Sequence, residues 1–235
     1  LVAKLIIKYF PDEPISRNID KPVILNLDEN VLDNPAIAIT NAQAEIRGVI
    51  GLLERIVGSL AGPFLSEETK NDIENPEQDL DEGMQIRLDK IDYINKAISS
   101  YLIKVNNQDL NDNQSQEIFT LVSVINYINL IKNGIKLRFN NLLTMKEKNS
   151  SALNEIHQNE LIKFHSKMIK QIKRLGRFFE KYDRTKIEKI LKKSQKFKAL
   201  EEKYRIENIK KSNSIDEQPK DQKLFSELLD LLKEI

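Results

Sequence analysis

Apolar residues recur along this chain at alternating steps of three and four, the spacing that keeps side chains on one face of a helix. The most regular run is Ile39, Ala42, Ile46, Val49, Leu53, Ile56 and Leu60. Asn34 before Pro35 is a start signal, a capping side chain ahead of the residue best tolerated in a first helical turn. Gly62 with Pro63 is a stop signal, so the first helix spans about 26 residues. Met84, Leu88, Ile91, Ile98, Leu102 and Val105 set a second helix, with Asn95 in the missing seam position. The polar cluster Asn106 to Asn113 then turns the chain. Ile118, Leu121, Ile125, Ile128, Ile135, Phe139 and Leu142 predict a third helix, and Lys132 stands where its seam expects an apolar residue.

A second set of three follows. The fourth helix is expected from about Ala152 to Lys181, with Leu161, His165, Met168, Ile172, Leu175 and Phe179 inward. The fifth runs from about Thr185 to Lys210 on Ile187, Ile190, Phe197 and Tyr204, and the sixth begins near Pro219. Lys223-Leu-Phe-Ser-Glu-Leu-Leu echoes Glu117-Ile-Phe-Thr-Leu-Val, which suggests an internal repeat of a three-helix unit. The expected fold is all-α: two consecutive three-helix bundles of long antiparallel helices over residues 34–148 and 149–235, the last helix truncated. Residues 1–33 are expected to be a juxtamembrane segment and linker. The apolar start Leu1 to Phe10 is too short and too charged to span a bilayer, Pro11 and Pro14 stop it, and Pro22 to Leu27 runs extended.

Composition agrees with long helices: hydrophobic residues make up 40%, charged residues 31%, and Gly and Pro number seven each. The absence of cysteine removes disulfides, zinc–thiolate sites and thiol catalysis. A net charge of +1 hides an asymmetry. Pro11 to Lys90 carries about ten more acidic than basic residues, and Leu161 to Lys211 about twelve more basic than acidic. That basic stretch has three readings: a face for nucleic acid or anionic lipid, a partner for the acidic segment, or a solvated surface.

Candidate chemistry is sparse. His157 and His165 are eight residues apart on one predicted helix, but Glu155 and Glu160 complete no established metal spacing with them. Asp89 and Asp92 offer two carboxylates at three-residue spacing, and Lys90 and Lys96 nearby favour surface ion pairs. No Gly-rich phosphate loop, nucleophile elbow or triad is visible, so no catalytic residue and no cofactor is assigned. Tyr93, Tyr101, Phe119, Tyr127, Phe139, Phe178, Phe179 and Phe197 fall on or beside the seams and are expected in the core. Only Tyr182 and Tyr204 lie among basic residues in a way that suits base stacking.

The run Leu27-Asp28-Glu29, then Leu32, Asn34-Pro35, Ala36, Ala38, Ala42 and Glu45-Ile46, resembles the start of the PhoU-like cytosolic domain attached to bacterial sodium/phosphate cotransporters. Ile91-Asp92-x-Ile94, Tyr101-Leu102 and Gln114-Ser115-x-Glu117-Ile118 resemble that family's following hairpin. The resemblance implies two three-helix units, and a structural role for Leu27, Asp28, Leu32, Pro35, Ala38 and Glu45. It also implies a third-helix Glu-x-x-x-Asp phrase associated with metal ions. Here that segment reads Ile128-Asn129-Leu130-Ile131-Lys132-Asn133, so Asn129 and Asn133 replace both acids, and Leu232-Lys233-Glu234-Ile235 lacks the acid in register as well. Neutral amides beside an ammonium disfavour a dication, so no metal is expected.

The resemblance thus implies a non-enzymatic regulatory or assembly domain of a sodium-dependent phosphate cotransporter, on the cytoplasmic side of a bacterial inner membrane. Its expected partner is the transporter's own membrane domain; a homodimer stays open, and nucleic acid is not expected. A free-standing PhoU-type signalling adaptor and a basic nucleic-acid-binding bundle are the alternatives.

Overall fold

A computed structural model of the chain describes residues 22–65, 71–72, 78–149, 153–180, 184–212 and 219–235. Within them lie six long helices: α1 (Pro35–Leu60), α2 (Leu80–Asn106), α3 (Asp112–Asn149), α4 (Glu155–Glu180), α5 (Arg184–Ser212) and α6 (Pro219–Glu234). The protein is an all-α helical bundle; its one β feature among the described residues is an isolated bridge between Asn71 and Asp79. The expected segment 1–21, most of the connection after Ser66, and Tyr182 lie outside the described residues.

Local chemistry starts the helices. Asn34 accepts a hydrogen bond from the Ile37 amide with Pro35 in the first turn of α1, and Asp79 does the same for Glu82 in α2. Before α3, Asn111 and Gln114 each accept the other's amide at 3.0 Å, a reciprocal capping box. Gly62 and Pro63 interrupt α1 as expected, yet Gly62–Leu65 then makes one more helical turn. Its Phe64 is buried edge-on against Phe139 of α3, which explains the extra turn.

The helices form two sets, α1–α2–α3 and α4–α5–α6, and within each set every helix touches the other two. The sets share a broad boundary, because α1 packs on α4 and α3 on α6. Those four helices form a central layer, with α2 on one outer side and α5 on the other. One continuous apolar cluster runs through both sets, from Ala38 and Ile46 of α1 to Phe225 and Leu232 of α6. α1 is therefore covered on several sides. Gly176 of α4 faces it at ordinary packing distance, since a Cβ there would meet Ile50 Cγ2 at 3.6 Å.

Among the described residues, α1 with its following turn, and α3, are the two helices long and apolar enough to cross a membrane. In α1 that apolarity is spent on the core, whereas much of α3 faces outward. Phe119 and Tyr127 are 68% and 67% exposed, Leu130 and Leu137 are exposed beside them, and Tyr93 of α2 is exposed too. The expectation that Phe119, Tyr127 and Tyr93 join the core is corrected here: α3 is apolar on more than one face, and only the face bearing Ile118, Ile125 and Phe139 meets other helices.

Candidate functional site

The residues that carry the family resemblance sit in and around a strap leading into α1. Glu45 is only 4% exposed, and its Oε2 accepts the amides of Leu25 and Asn26 and the Asn26 side-chain amide at 3.2, 2.8 and 2.9 Å. Farther along, Asp28 caps a single 3-10 turn, Glu29–Val31. Its carbonyl accepts the Tyr101 hydroxyl at 2.8 Å, and Glu29 pairs with Lys104. Burial in this corner raises the Tyr101 phenol above its ordinary pKa, with the Asp28 and Glu29 charges adding to the rise. Leu27 and Leu32 pack half-buried against the core, Pro35 opens α1, and Ala38 is fully buried. Glu45 and Tyr101 thus bind the strap to α1 and α2 at once.

The seam positions that sequence leaves polar meet across α2 and α3. Asn95 donates to Asn129 at 2.8 Å, and one turn away Lys132 pairs with Asp92. The Lys132 side chain is 8% exposed and that of Asp92 41%, so the ammonium is the desolvated partner. Asp92 was expected to pair on the surface with Lys90 or Lys96; it reaches across the bundle to Lys132, because the lysine's long stem spans the seam it interrupts. Asp89 stays exposed and accepts from Gln85 at 2.7 Å. Asn133 points to solvent, so Asn129 and Asn133 do not converge on one buried spot.

His157 and His165 serve different neighbours. His157 is fully buried, stacked on Phe225 of α6 with ring centres 4.3 Å apart, and its Nδ1 lies 3.0 Å from Asp221. Asn154 binds Asp221 and caps the His157 amide, tying the starts of α4 and α6 together. His165 faces α1 instead, its Nε2 donating to the Val57 carbonyl at 2.6 Å. Burial holds its pKa below the ordinary value, only partly offset by that carbonyl. Among the described residues no group of three His, Asp or Glu side chains is placed to hold a metal ion. Tyr204 lies in the core, edge-on to Phe164, so it offers no face to a base.

The basic stretch resolves into a cleft between α4 and α5. Lys167, Lys170 and Arg174 line one wall at successive turns, Lys193 and Lys196 the other, around a volume of about 250 Å³. Gln171 joins the walls, accepting from Arg174 at 2.7 Å and donating to the Ile190 carbonyl at 3.5 Å. Among the described residues no acidic side chain lines this cleft. From the described part of the acidic first segment, Glu54 reaches α4 at Lys173, on the α1 side. Sequence flagged the charge of this stretch but not its convergence. A second, largely apolar cleft of about 650 Å³ lies where α1, α3 and α4 meet, floored by Leu121, Val124, Leu175 and Phe179.

Comparison of the chain with protein-family models, with curated proteins and with solved structures returns no match.

Proposed function

We propose that this chain is a non-catalytic, PhoU-like regulatory or assembly domain of a sodium-dependent phosphate cotransporter, working on the cytoplasmic side of a bacterial inner membrane. What supports the reading is the sequence resemblance, together with a bundle of six long helices in which the first three and the last three each pack on one another. The observation that carries it is the strap: Asn26 to Glu29 is pinned by Glu45, Tyr101 and Lys104, so the lead-in and the first two helices move as one piece. A displacement delivered through the lead-in reaches α1, which touches α2, α3 and α4, and through them both sets of helices. A transporter with two states biased by such a shift would gain regulation without any chemistry in this domain.

Sodium-dependent phosphate uptake in cells carrying the full-length protein, the protein lacking this domain, or the Glu45→Ala variant tests the proposal. Uptake rate or affinity is expected to change on deletion, and Glu45→Ala is expected to reproduce part of the change at equal protein abundance. Identical rate, affinity and abundance with and without the domain would overturn it.

A further inference from the structure

We propose that the α4–α5 cleft binds a compact polyphosphoryl anion of the pyrophosphate or tripolyphosphate class. Lys167, Lys170, Arg174, Lys193 and Lys196 converge on it, and among the described residues no carboxylate shares its lining. Protein surfaces ordinarily intersperse the two signs, because like charges at helical spacing repel by about 0.2–0.5 kcal/mol per pair. The neighbouring α1–α4 cleft follows that habit: Glu54 lies among Arg47, Lys173 and Arg177. In the α4–α5 cleft the described residues leave the repulsion uncompensated, and a ligand of several negative charges removes it.

Size and shape narrow the ligand. A volume of about 250 Å³ falls at or below the small end of ligand pockets, which run to roughly 300–1,000 Å³, so it suits a short chain of phosphoryl groups better than a macromolecule. The floor is Phe197, whose ring stacks on Phe164 at 4.1 Å and 22°. One face of that ring is thereby taken, and a single half-buried ring offers a nucleobase less than five converging cations offer phosphoryl oxygens. The walls are concave, unlike the flat amphipathic face that lies on a bilayer. Arg174 is already oriented by Gln171, the pre-organisation that favours a planar guanidinium on phosphate oxygens. The inference stands apart from the transporter reading, because it uses none of the strap residues.

Titration calorimetry of the full chain with tripolyphosphate, pyrophosphate and orthophosphate, at about 0.05 M and 0.15 M salt, tests it. Saturable binding is expected, tightest for tripolyphosphate, weakest for orthophosphate and weaker at the higher salt. The exposed-residue double variant Lys170→Gln/Lys193→Gln is expected to lose about 100-fold in affinity, two charge-assisted contacts, while keeping the parent's melting temperature. Lys96→Gln/Lys136→Gln, with equal charge loss on the first three helices, is expected to bind like the parent. Three results would each overturn the proposal: no saturable tripolyphosphate binding at the lower salt, equal losses in both double variants, or tighter binding through the same lysines to single-stranded DNA or phosphatidylserine vesicles.

Discussion

α2 and α5 occupy corresponding outer positions in the two sets of helices, yet they are held by opposite means. α2 buries Ile91, Ile94, Ile98, Tyr101 and Leu102, an apolar seam with the Asn95 and Lys132 contacts set into it. On α5, among the described residues, only Glu201, Tyr204 and Asn208 are buried. Glu201 is bracketed by Arg205 at 2.6 Å and Lys233 at 3.3 Å, Arg205 also reaches Asp230, and Asn208 donates to Ser226 at 2.8 Å. Apolar burial is non-directional and hard to undo locally, whereas a partly wet ion network yields to salt and to competing water. The bundle thus has a fixed outer helix and a loosely fastened one, and the loosely fastened one carries a wall of the basic cleft.

The largest expected effect falls on the fixed side. Ile98→Ala should destabilise by about 2–5 kcal/mol, the usual cost of emptying a buried site, while Leu200→Ala on half-buried α5 should cost about 1 kcal/mol. Urea unfolding of both variants measures this, and equal losses would break the contrast. Next comes Asp92→Ala, which strands the Lys132 ammonium. A loss of about 2 kcal/mol is expected, less than the 3–5 of a fully buried pair because Asp92 is partly wet. Lys132→Met, which removes the desolvated charge itself, should be close to neutral. Glu201→Gln should cost about 1 kcal/mol, since Arg205 and Lys233 regain water. It should raise amide exchange on α5 selectively and leave α2 unchanged.

The smallest effect concerns the boundary between the sets. His165 titrates below its ordinary pKa near 6.5 when folded, so in that interval the unfolded chain binds a proton that the folded chain refuses. Stability should therefore fall as pH drops below about 6.5 and level off once the folded pKa is passed. His165→Gln, which keeps a donor for the Val57 carbonyl but does not titrate, should flatten that part of the curve in urea midpoints taken between about pH 7 and pH 5.

Helix limits were readable wherever capping chemistry and periodicity agreed, as at Asn34-Pro35 and along the Ile39–Leu60 seam. Periodicity failed where a helix is apolar on more than one face: it marked Phe119 and Tyr127 as core, and nothing in the spacing said which face of α3 has a neighbour. On α5 it named Tyr204, which is buried, and Ile187, Ile190 and Phe197, all half-buried, and passed over Glu201 and Asn208, because a buried polar residue is recognisable only beside its partner. The roles of Glu45 and Lys132 were hidden for the same reason. The basic cleft required knowing how α4 and α5 are offset, a quantity that one-dimensional spacing does not hold.

The hydrogen bond from His165 to Val57 closes a span of 108 positions. At translation rates of about 5–20 residues per second, α1 waits on the order of ten seconds for the helix that covers its last apolar side. During that interval the face of α1 that packs on α4 has no cover, the kind of transiently exposed apolar surface that chaperones hold. The two sets of helices are consequently not interchangeable in time. The earlier one is synthesised as an unfinished surface, and the later one arrives as its cover.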